Sequence, residues 1–128
     1  MLGAVAVKLF GGWNAGLMTL AVFMAADYIS GIILAGVFKK SPKSASGALE
    51  SRAGFKGIVR KAEMLLIVMV ATRLDMITGQ NFIAGGVIIA FIANEAISIT
   101  ENAALAGVPL PGVLTRAIDV IKSKETTE

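Results

Sequence analysis

KKSPKSASGALESRAGFKGIVRK, residues 39–61, is a polar stretch set between long apolar runs. It holds seven of the chain's twelve Lys and Arg, namely Lys39, Lys40, Lys43, Arg52, Lys56, Arg60 and Lys61. Against Glu50 alone the stretch carries +6, whereas the whole chain carries +3, so everything outside it sums to −3. A short basic segment of this kind stays on the cytoplasmic side of a membrane, because moving Lys and Arg across against the potential is unfavourable. The flanking apolar runs must then leave it in the outward direction. Clustered basic charge also reads as a nucleic-acid patch, but that requires a folded soluble domain with one basic face. The neighbouring sequence is too apolar to supply such a surface, so no nucleic-acid partner is expected.

Composition agrees. The chain has 128 residues, 55% hydrophobic and 16% charged, a balance far from that of soluble globular proteins and of a length for one domain. The expectation is an all-α integral membrane protein whose first partner is the lipid bilayer. There is no Cys and no His, which removes a thiol nucleophile, a disulfide framework and the ordinary zinc ligand sets. Phosphate-cradling loops, nucleophile elbows and dinucleotide fingerprints are absent from the sequence. Hence no catalytic residue, no cofactor and no metal is expected, and the protein reads as a non-enzyme.

Residues 1–14 open with MLGAVAVKLFGGW, which lacks the basic start of a cleaved signal peptide. Residues 1–12, apolar except for Lys8, reach only about 18 Å as a helix, short of a bilayer core of about 30 Å, so this segment is expected at the membrane interface. Trp13-Asn14 marks its boundary, since an indole suits headgroup depth. Residues 15–38 form the first expected span, about 36 Å long as a helix, and its one charge is Asp27. A mid-span carboxylate opposes insertion by about 2.5–3.5 kcal/mol, so Asp27 should face protein or water. Gly31 lies on its face and admits a neighbouring helix. Two readings stay open: a water-facing or protonatable group in a pore, and a buried Asp bonded to another helix.

Residues 39–57 then form a basic cytoplasmic loop, with helical pattern resuming near Phe55. Residues 58–77 form the second span. Only 64–72 of it is free of charge, so Arg60, Lys61 and Glu63 at one end and Arg73 and Asp75 at the other must snorkel or meet water. Residues 82–102 form the third span after the Thr78-Gly79-Gln80-Asn81 turn. In its second half Asn94, Glu95, Ser98, Glu101 and Asn102 fall on one helical stripe, which Gly86 and Ala90 extend. Small and then polar, that stripe is read as the face on which protomers meet or water is lined. Pro109 and Pro111 end the helix, and residues 113–124 form an amphipathic helix with a polar tail, expected to be disordered from Lys122.

Ten Lys and Arg fall in the central stretch and the C-terminal part, against Lys8 and Arg73 elsewhere. Three spans satisfy this count, with the N-terminus outside and the C-terminus cytoplasmic. An even number would force one basic region across the membrane.

Four stretches carry a resemblance to a family: Asp27 with Gly31, SGALESRAGFKGIVRK at 46–61, LLIVMVATRLD at 65–75, and NEAISITENAALAGVPLP at 94–111. They resemble the clostridial-type phage lysis holins, which include holin-like proteins associated with toxin secretion, over nearly the whole chain. Glu50 stands where a small polar residue is the pattern. The resemblance implies a small multi-pass protein of the bacterial cytoplasmic membrane that forms a homo-oligomer and opens lesions. Through these an endolysin, or in some relatives a toxin, leaves the cell. It supplies no catalytic residues. The alternative from the residues themselves is a small oligomeric ion channel or transporter subunit using Asp27 and Glu95.

Overall fold

The computed structural model describes residues 2–12 and 14–127. The boundary expected at Trp13 lies outside them, as do the side chains of Lys8 and Lys122. Five helices follow one another: α1 Leu2–Phe10, α2 Ala15–Ile33, α3 Ser51–Thr78, α4 Ile83–Leu105 and α5 Gly112–Thr127. Among the described residues there is no strand. Two helical stretches, Ala15–Phe38 and Ile83–Leu105, are long and apolar enough to cross a membrane. The longest helix, α3 with 28 residues, is not one of them; charges at both its ends set it apart.

Each boundary has a local cause. Asn14 caps α2, its side-chain oxygen accepting from the Leu17 N–H at 2.9 Å, which satisfies one of the orphan donors of a helix start. At its other end α2 widens into a π-helical turn, Leu34–Phe38, and stops at Lys39, whose backbone is left-handed with φ 56°. Gly79, with φ 74°, closes α3, a position where a side chain would be strained. The start of α4 has no cap from its own flank. Instead Asp75 reaches across from α3, accepting from the backbone N–H of Ile83 at 3.0 Å and of Ala84 at 2.9 Å.

The expected loop at 39–57 is shorter than the sequence suggested, because α3 begins at Ser51 rather than near Phe55. Its first turns are held by tertiary contact. A Cβ at Gly54 would lie 3.2 Å from the Tyr28 hydroxyl oxygen, and one at Gly57 would lie 3.6 Å from the Tyr28 ring. Two glycines therefore let α3 close on an α2 tyrosine, and that docking extends the helix beyond its apolar periodicity. The last helix also runs further, to Thr127 rather than fading from Lys122; its end has no Gly or Pro to stop it.

Helix α4 lies at the centre, packed along α2 and α3, with α5 folded back onto it. Leu17, Leu20 and Met24 of α2, Val68 of α3 and Ile88 of α4 form the buried core. Gly16 permits close approach, since a Cβ there would meet Ile88 at 3.4 Å. Outside this core the helices expose large apolar side chains, including Val22, Ile29, Leu66, Ile67, Val70 and Ile77.

Candidate functional site: a buried charge cluster between three helices

The inward faces of α2, α3 and α4 each carry a polar group to one point. Helix α2 brings Asp27, α3 brings Lys61 and α4 brings Glu95. Asp27 is 4% exposed and Glu95 2%, while the Lys61 side chain is 18% exposed. The Lys61 ammonium donates to Asp27 Oδ2 at 2.7 Å and to Glu95 Oε2 at 2.8 Å. Both partners lie 34 residues from Lys61 in sequence, one on each side. Asn102, a further inward residue of α4, donates through Nδ2 to Ser30 Oγ at 2.9 Å, Asp27 Oδ1 at 3.3 Å and the Asp27 carbonyl at 3.4 Å. Gly31 keeps that approach open, since a Cβ there would lie 3.7 Å from the Asn102 amide nitrogen.

A buried charge is tolerated only when it is paired and hydrogen-bonded. One ammonium serves two carboxylates here, leaving a net charge of −1 when both are ionised. Among the described residues no buried side-chain nitrogen or oxygen lacks a partner. The cluster therefore satisfies itself within one chain. Chemically it is a lock: it fixes the register of three helices by charge, and it opens only if the three groups find other partners or water.

The other residues singled out from sequence divide. Glu95 and Asn102 of the α4 stripe turn inward and Ser98, Gly86 and Ala90 are half-buried, whereas Asn94 and Glu101 are exposed. Glu63 and Arg73 are exposed on α3, with Arg73 Nη1 3.8 Å from Met76 Sδ. Asp75, grouped with those two in the sequence reading, instead caps α4. Lys39, Lys40, Lys43, Arg52, Lys56 and Arg60 are exposed.

Lys61 is the residue whose role the sequence reading missed, since it was placed in the basic stretch and at a snorkelling end of the second span. A signal was available. Lys61, Val68, Thr72 and Asp75 follow at i, i+7, i+11 and i+14, one face of a helix, and Val68 and Thr72 on that face are buried.

Two cavities flank the core. One of about 350 Å³ opens at the end of the bundle beneath the 39–50 loop, with Asp27, Lys61 and Glu95 in its lining beside Tyr28, Arg60 and Met64. Another of about 460 Å³ lies at the opposite end, lined by Asn14, Thr72, Asp75 and Asn81 together with Val68 and Ile92. Among the described residues no group of three or more His, Cys, Asp or Glu is placed to hold a metal ion.

A sequence profile of the bacteriophage holin family matches residues 4–123. The chain is 38% identical over 127 residues to a protein of Listeria innocua, covering 98% of this chain and 85% of the relative. It is 36% identical over 126 residues to a protein of Clostridium perfringens, covering 97% and 89%. A protein of Bacillus phage phi105 named as a probable holin is 38% identical over 105 residues, covering 81% and 72%. No solved structure matches the chain.

Proposed function

The chain belongs to the bacteriophage holin family, and on that premise we propose that it accumulates in the bacterial cytoplasmic membrane, assembles with copies of itself and opens lesions that release an endolysin or a toxin. We read the chain as crossing the bilayer three times, with the N-terminus outside and the C-terminus cytoplasmic. One observation carries this reading. The charged helix α3 turns Lys61 inward onto two carboxylates and leaves Leu66, Ile67, Val70, Leu74 and Ile77 outward. A helix arranged in that way suits lipid despite its composition. Its 28 residues extend about 42 Å, more than a bilayer core requires. Assembly then concerns the polar groups left outside the single chain, Glu63 on α3 and Asn94 and Glu101 on α4, which lipid would not accommodate at depth.

The alternative of a small channel or transporter subunit using Asp27 and Glu95 has less support where those carboxylates would act as ligands of a metal cation. The Lys61 ammonium occupies the place such a cation would take. Timed induction tests the proposal, with membrane potential and endolysin release followed together. The expected result is an abrupt loss of potential followed by lysis when an endolysin is present. Cells that stay polarised and viable at high membrane abundance would overturn it.

A further inference from the structure

The two cavities approach each other from opposite ends of the three-helix core. On α3, Met64 lines the first and Val68 the second, one turn or about 6 Å apart. On α4, Ile92 lines the second and Glu95 the first, about 4.5 Å apart along the helix. On α2 the linings are separated further, Leu17 in one and Asp27 in the other. Between these two stand Leu20 and Met24, which are 0% and 6% exposed, facing a Val68 that is 1% exposed. Volumes of about 350 and 460 Å³ far exceed the ~15 Å³ that one water needs.

We propose that a single chain is a closed proton path: two water-filled vestibules separated by an apolar plug of Leu20, Met24 and Val68, with the Asp27–Lys61–Glu95 cluster on the inner side. This rests on the three-span reading. A narrow apolar constriction excludes water and is closed by dewetting, so the plug keeps the single chain tight. No room is left at the plug for a hydrated metal ion. A proton needs only an acceptor or a file of water, and carboxylates already paired with Lys61 still serve as acceptors. The path differs from the proposed lesion, which requires many chains and passes a folded protein.

The native chain has no cysteine, so single cysteines report water access directly. In vesicles holding on average less than one chain, an impermeant thiol reagent is expected to reach Thr72→Cys from one face and Met64→Cys from the other. Leu20→Cys is expected to react from neither. Reaction of Thr72→Cys and Met64→Cys from the same face would sink the three-span reading itself. Reaction of Leu20→Cys as fast as Thr72→Cys would remove the plug, and silence at both Thr72→Cys and Met64→Cys would remove the vestibules. Val68→Ser and, independently, Leu20→Ser are expected to raise proton leak at least tenfold over the parent while a carboxyfluorescein-sized dye stays inside. Unchanged leak in a variant that keeps the parent's helical circular dichroism overturns the proposal, and so does dye escaping together with protons.

Discussion

Replacing Lys61 by Met keeps the length of the side-chain stem and removes only the charge and its donors. Two carboxylates, each no more than 4% exposed, are then left facing one another, and the cluster goes from −1 to −2 with both ionised. Removing one partner of a buried ion pair typically destabilises by about 3–5 kcal/mol, because an uncompensated charge remains. At about 1.4 kcal/mol per tenfold, the folding equilibrium should fall by a factor on the order of a hundred to several thousand. Protein in mild-detergent micelles titrated with SDS and followed by helical circular dichroism measures this. The triple variant Lys61→Met, Asp27→Asn, Glu95→Gln carries no net charge in the cluster and should recover most of the loss, since neutral amides can hydrogen-bond to each other. The reasoning fails if Lys61→Met unfolds at the parent's SDS fraction, or if the triple variant is less stable than the single one.

Asp75→Ala should remove both hydrogen bonds at the start of α4 and destabilise by about 0.5–2 kcal/mol, the usual range for a lost cap; faster hydrogen exchange confined to the Ile83 and Ala84 amides would identify the cause. Gly54→Leu should push α3 away from Tyr28, where even a Cβ would sit 3.2 Å from the hydroxyl oxygen, and Tyr28→Ala in the same chain should relieve it, as judged by the SDS midpoint. Glu101→Gln, on an exposed residue, should shift that midpoint by less than about 0.5 kcal/mol. Ser46→Cys in intact cells should react only with membrane-permeant reagents and Gln80→Cys with impermeant ones; the reverse pattern would overturn the topology.

The helical architecture was legible because its punctuation is chemical. Asn14 starts α2, and Gly79 and Gly107, both with left-handed backbone, end α3 and α4 ahead of Pro109 and Pro111, each by a mechanism that acts within a few residues of the chain. Asp27 and Glu95 were also legible as groups in need of partners, since a carboxylate amid apolar residues can do little else. Their shared partner was not, because Lys61 sits in a run of positive charge that hides the one member turned inward. The start of α3 and the cap on α4 were hidden for a related reason. Tyr28 against Gly54 and Gly57, and Asp75 against Ile83 and Ala84, are decided by tertiary approach and leave no local pattern.

The 34-residue intervals on either side of Lys61 set a clock on how the protein comes into being. At about 5–20 residues per second, Lys61 leaves the ribosome about 2–7 s after Asp27, and Glu95 follows after a similar delay. On the spanning reading, α2 therefore enters the bilayer with a lone acid whose burial is opposed by about 2.5–3.5 kcal/mol. Arrival of Lys61 makes that site a neutral pair, and only then does the second acid join it. A released chain truncated before residue 61 leaves Asp27 in lipid without a counterion, whereas one truncated before residue 95 already holds a matched pair of charges.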